Sequence, residues 1–63
     1  MNLYKELTSI ALGYSYNAKA LRVAIESPTT DLADKEVLNR YYTGENAKTD
    51  HIKLATIAIK FLE

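Results

Sequence analysis

From Thr49 to Glu63 the chain carries one thin polar line through an otherwise apolar stretch. Thr49, Lys53, Thr56, Lys60 and Glu63 recur at spacings of four and three residues, the rhythm of one helical face. Apart from Asp50 and His51, every residue between them is apolar. A strand fits poorly, because the alternation of Ile52, Leu54, Ile57, Ile59 and Phe61 slips phase at Thr56-Ile57 and a slip sends side chains to the wrong face. The spacing predicts a helix from Thr49 or Asp50 to Leu62. A helix with so narrow a wet face needs cover on most sides. In a chain of 63 residues it is therefore either the central helix of the fold or part of an interface between chains.

Length sharpens that choice. A single domain of this size buries only roughly 60% of the surface its unfolded chain exposes, and its stability is of the order of a few kcal/mol. There is no cysteine, so neither a disulfide nor a thiolate metal site can staple it. Fifteen Leu, Ile and Val residues, Phe61 and five tyrosines still suffice for a core and argue against disorder. Association with a second chain is the remaining source of stability.

Net charge is zero, from eight acidic and eight basic residues, but it is unevenly spread. Residues 1–25 carry +2, residues 26–45 carry −3 and residues 46–63 carry +1. No basic patch of the kind that drives non-specific phosphate binding is present. No apolar run is long enough to span a bilayer. The N-terminus lacks the basic-then-apolar layout of a secretion signal. A cytoplasmic location and no membrane partner are the expectation.

Pro28, Gly13 and Gly44 punctuate the chain into three or four helical pieces. The first runs from Asn2 to about Glu26, with Leu3, Leu7, Ile10, Tyr14, Asn17, Leu21 and Ala24 on one stripe. Its continuity is open. Gly13, Tyr14, Ser15, Tyr16 and Asn17 together cost roughly 2–3 kcal/mol relative to alanine in a helix, and Ser15 could cap a fresh helix near Tyr16. An unbroken helix would be about 36 Å long, too long for a compact monomer and suited to a paired bundle. A break gives a four-helix globule. Ser27-Pro28 ends this half. Thr29, Thr30 and Asp31 then offer caps for a helix from about Asp31 to Tyr42. Asp31–Lys35 and Glu36–Arg40 are acid-first pairs four residues apart. Ala33, Val37, Leu38, Tyr41 and Tyr42 form the apolar face. Gly44 stands where a left-handed C-terminal cap is wanted. The fold class is all-α: three to four helices in a small bundle that dimerisation could complete.

The residues of catalysis are sparse. His51 is the one histidine. Ser9, Ser15 and Ser27 lie elsewhere in the sequence, in no strained turn motif, so no nucleophile–base pair is legible. Asp31, Asp34 and Glu36 are close together but lack the alternating acids, glycine and closing glutamate of a calcium loop. They serve the helix dipole and the ion pairs better. Two glycines make no phosphate-cradling loop. No catalytic residue, metal or cofactor is expected.

Binding surfaces are more legible. The tyrosines cluster as Tyr14/Tyr16 and Tyr41/Tyr42, and tyrosine's apolar body with a polar tip suits interfaces. Tyr14 and Tyr41 lie on apolar stripes and would also serve as core edge. Tyr16 and Tyr42 are the better surface candidates. Arg40 is the hot-spot candidate by residue type, with a plain intrahelical pair to Glu36 as the competing role. Asn17 interrupts an apolar stripe. It either sets the register of a helix pair or caps a helix that begins there.

The order of these elements resembles a lambda-repressor-type helix-turn-helix domain over about residues 7–62. The residues that carry the likeness are Gly13-Tyr14-Ser15 before a second helix, the Arg40-Tyr41-Tyr42-Thr43-Gly44 run, and Leu54-Ala55-Thr56-Ile57-Ala58 in the last helix. The resemblance implies DNA binding through a recognition helix, with Lys35, Asn39 and Arg40 facing the groove. The sequence departs from the pattern in two places. The turn Glu26-Ser27-Pro28-Thr29-Thr30-Asp31 is longer and holds proline, and the would-be recognition helix opens with Asp31, Asp34 and Glu36, which would face phosphates.

Taken together, these features point to a non-enzymatic regulator or adaptor that works through a protein partner and as a homodimer. A regulator of viral or mobile-element origin would suit the length. The alternative is a small DNA-binding transcriptional regulator. The acidic stretch 26–45 favours the first.

Overall fold

The first three helices begin and end at residues whose chemistry favours those boundaries. The computed structural model describes residues 1–62 and places four helices in them: α1 (Leu3–Ala11), α2 (Ala18–Glu26), α3 (Leu32–Thr43) and α4 (Asp50–Ile59). No strand occurs among the described residues. Glu63, the last member of the polar line, lies outside them. The side chains of Asn2, Asn17 and Asp31 accept the backbone N–H groups of Lys5, Ala20 and Asp34 at 3.2, 3.1 and 2.9 Å, supplying acceptors to donors that have no partner within the helix. At the other ends, Gly13 and Gly44 adopt φ of +78° and +79°. Each closes a Schellman turn. The N–H groups of Tyr14 and Gly13 donate to the carbonyls of Ser9 and Ile10, and those of Glu45 and Gly44 donate to Arg40 and Tyr41.

Residues 13–17 therefore break the first helix, and the long-rod reading of residues 2–26 gives way to two helices of nine residues each. The new cap is Asn17 rather than Ser15. Asn17 has extended backbone angles and receives Ala20 N–H, while its own Nδ2 donates to Glu6 Oε1 of α1 at 2.8 Å. One side chain thus opens α2 and ties it to α1. Of the two roles that its position left open, Asn17 takes the cap and not the register-setting place in a continuous helix.

Pro28 occupies the second position of a turn closed by Thr30 N–H on Ser27 O, where its fixed φ suits the geometry. The buried Thr30 hydroxyl donates to Ala24 O at 2.8 Å, fastening the turn to the end of α2. α4 starts without help from the Thr49 side chain. Asp50 Oδ2 instead reaches back to accept Ala47 N–H at 2.9 Å.

The helices form a ring in which α1 packs chiefly on α4 and α2 on α3, with lighter seams between α1 and α2 and between α3 and α4. The globule measures 26 × 23 × 19 Å. Leu7, Leu21, Leu38 and Leu54, one from each helix, are fully buried at its centre. On α3 the buried face narrows to Val37, Leu38 and Tyr41, while Ala33 and Tyr42 stay exposed. The two i,i+4 pairs expected on this helix do not close among the described residues. Lys60 takes Asp34 at 2.6 Å and approaches Asp31 at 4.0 Å, and Arg40 takes Asp50. Partners on α4 or just beyond it outcompete partners one turn away, because they also hold two helices together.

The last helix ends sooner than its spacing predicts, at Ile59 rather than Leu62. Its environment differs too. Asp50, Leu54, Ile57 and Ala58 are buried, but Ile52 and Ile59 are 64% and 58% exposed. α4 is not a central helix. The polar line does not lie opposite the core; it runs along the side toward α3, where Lys60 meets Asp34 and where Lys53 and Thr56 border the inter-helix groove. The outermost line belongs to Ile52 and Ile59 with Thr56 between them. In a single copy the prediction of cover on most sides of this helix fails, because one globule of this size has no second layer to lay over it.

Candidate functional site

Two neighbouring regions gather the residues that sequence alone singled out. At the C-terminal end of α3, the Tyr16 hydroxyl donates toward the carbonyls of Tyr42 at 3.2 Å and Tyr41 at 3.4 Å. The Tyr42 carbonyl is one that the helix end leaves without an internal partner, while that of Tyr41 also accepts Gly44 N–H. The 13–17 segment is thereby pinned against α3, and the two tyrosine clusters meet. Tyr16 and Tyr42 are exposed, as their positions suggested. Tyr41 is buried, and burial together with the nearby Asp50 charge pushes its hydroxyl pKa up. Tyr14 had two roles open to it, an interface residue or a core edge. It is 81% exposed, because the break at Gly13 turns it off the α1 stripe.

Arg40 belongs to the second region, the groove between α3 and α4. Its Nε donates to Asp50 Oδ2 at 2.9 Å and its Nη2 to Asp50 Oδ1 at 3.0 Å. The planar fork matches both carboxylate oxygens. The Asp50 side chain is almost wholly covered, and that of Arg40 about two-thirds covered. The Arg40 guanidinium, then the Ala47 N–H, hold the Asp50 carboxyl down to about 2. Arg40 is raised in return, chiefly by the same hydrogen bond. This pair takes Arg40 away from the intrahelical Glu36 partner expected for it. Of the other groove-facing candidates on α3, Asn39 is exposed and Lys35 half-buried.

Val37 and Ile57 floor the α3–α4 groove, and Glu36 stands on one rim with Lys53 and Ile52 on the other. Among the described residues neither Glu36 nor Lys53 has an ion-pair partner within 4.0 Å. Reading site residues by type alone missed Ile52, Lys53 and Glu36, since a lone isoleucine or lysine carries no signature. One signal was available: Ile52 and Ile59 stand seven residues apart and so share a helical face that the core-facing Leu54 and Ile57 do not.

His51 is exposed, and its ring Nδ1 is engaged with the Lys48 carbonyl one turn back. None of the helices among the described residues is long and apolar enough to cross a membrane. Comparison with known proteins returns no match to a family model, a curated protein or a solved structure.

Proposed function

We propose that this chain is a non-enzymatic regulatory or adaptor protein of the cytoplasm that acts by protein–protein contact, as a homodimer. The observation that carries the reading is the outward face of α4. Ile52 and Ile59 stand in water with Thr56 between them, while Lys53 and Lys60 are turned sideways toward α3. Exposed apolar side chains are ordinary when scattered singly. Here they align on one helix of a chain with no disulfide and few kcal/mol to spare, and covering them adds stability that the monomer lacks. Zero net charge removes long-range repulsion between copies. Sedimentation velocity across a series from low to high micromolar is the test. The expected result is a species of twice the 7.1 kDa chain mass, and a monomer throughout overturns the homodimer.

A second reading draws on the break at residues 13–17. It leaves α2, the turn at 27–31 and α3 as consecutive elements, the order that the helix-turn-helix resemblance requires. Lys35 and Asn39 would face the duplex. Arg40, engaged with Asp50, would have to leave a two-point ion pair to do so, and the acids of α3 oppose phosphate. Duplex binding that weakens steeply with salt would support this reading, and no shift of a random-sequence duplex at low salt disposes of it.

A further inference from the structure

The homodimer reading leaves open which surface joins the copies, and the α3–α4 groove has the properties a two-fold contact demands. In such a contact one patch meets itself, so any projecting group needs a recess on the same patch to receive it, and any charge needs its opposite there. Ile52 projects from α4 with 64% of its surface exposed, beside a recess floored by Val37 and Ile57. Glu36 and Lys53 stand on opposite rims. Neither is engaged by another ion within 4.0 Å among the described residues, whereas Asp34 and Arg40 on the same groove already hold Lys60 and Asp50. The unspent charges are one acid and one base.

We infer that a second copy of this chain docks along the α3–α4 groove about a two-fold axis, with Ile52 of each copy in the recess of the other and Lys53 of each facing Glu36 of its partner. Symmetry then makes every contact twice. A standard interface takes about 800 Å² from each partner. That is about a fifth of the 4276 Å² that one copy exposes, so the contact runs along α4 from Ile52 to Ile59 rather than resting on the recess alone. Exposed apolar surface on α4 and unpaired charge on both rims are satisfied by the same partner. An unrelated acidic or basic peptide would satisfy only one rim.

This inference rests on the homodimer reading, and the two fail differently. Sedimentation equilibrium is run on the wild type and on Ile52→Glu, Glu36→Lys, Lys53→Glu and the double exchange Glu36→Lys/Lys53→Glu, each checked for native helicity by far-UV circular dichroism. Ile52→Glu should weaken the dimer at least about tenfold, since a buried anchor is lost in two places. Each single reversal sets like charges together twice and should weaken it several-fold, and the double exchange should restore it toward wild type. If Ile52→Glu disturbs folding, the charge exchange carries the test alone, because both positions lie on the surface rims. A wild type that stays monomeric overturns the homodimer and this surface together. A wild-type dimer that none of the substitutions weakens leaves the homodimer standing and overturns the surface.

Discussion

Arg40 and Asp50, ten residues apart in the chain, are joined through two nitrogens and two oxygens at 2.9 and 3.0 Å, with the carboxylate nearly sealed from water. The pair fastens the end of α3 to the start of α4. The same carboxylate accepts Ala47 N–H, so it also organises the loop that α4 grows from. A buried pair of this kind is more costly to break than it is stabilising to form, because removing one partner strands the other charge.

Acid should therefore loosen the fold through Asp50. Its folded pKa of about 2 lies below its ordinary 3.8. The stabilisation is complete above the ordinary value and drains away as pH falls from 3.8 toward about 2. Asp50→Asn should have a lower urea midpoint than the wild type at neutral pH and a flatter dependence on pH across that window. Coincident midpoint-against-pH curves for the two proteins would show that the pair contributes nothing to stability.

Gly44 tests whether the left-handed cap matters for its backbone alone. A Cβ built there meets nothing within 4 Å at φ +79°, so Gly44→Ala carries conformational strain and no clash. The expected cost is about 1 kcal/mol, or roughly 4–8 °C in Tm for a domain of this size. D-Alanine introduced by chemical synthesis prefers this φ and restricts the unfolded chain, so it should raise Tm. Equal melting of the L- and D-alanine proteins would contradict this account.

Leu54 and Ile52 sit two residues apart on α4 and should behave as opposites. Leu54 is fully buried, and truncating such a leucine to alanine costs roughly 2–5 kcal/mol, comparable with the whole stability of so small a fold. Leu54→Ala should lose most of its helical circular dichroism at room temperature. Ile52→Ala, measured at concentrations low enough for monomer, should lie within about 0.5 kcal/mol of wild type. Comparable losses at both positions would mean that Ile52 is covered within one copy.

Asn17 has two jobs that substitution can separate. Asn17→Ala removes the cap on α2 and the bond to Glu6, and should cost about 1 kcal/mol for the cap plus the loss of the inter-helix bond. Asn17→Ser keeps a competent cap but is too short to donate to Glu6 as the amide does. Guanidinium melts of both variants, each with and without Glu6→Ala, form two double-mutant cycles. Both substitutions remove the amide donor, so the two cycles should give similar coupling to Glu6, while Asn17→Ala alone should also lose the cap. Absence of coupling in both would show that the 2.8 Å bond does not stabilise the pairing of α1 with α2.

Much of the helix layout was legible because boundary chemistry is local. Asp31 as a cap, Gly44 as a left-handed stop and Pro28 as a breaker each act on backbone within a few residues, and α3 falls where they place it. Residues 13–17 were ambiguous for the opposite reason. Weak propensity there permits a break without requiring one, and the decision came from Asn17 reaching Glu6 and Tyr16 reaching the end of α3. Those contacts span 11 and 26 residues and leave no trace in local spacing.

The charged residues divide along the same line. Sequence alone determined that the chain is helical, where α2 and α3 stop, and that α4 is too apolar to be wetted all round. Only the tertiary structure decided which acid each base would meet: Arg40 passes over Glu36 for Asp50, and Lys60 crosses to Asp34. It also decided that the polar line of α4 would turn toward α3 and leave Ile52 and Ile59 outside. Period and propensity are properties of one segment, whereas the direction a face points depends on where the other three helices stand.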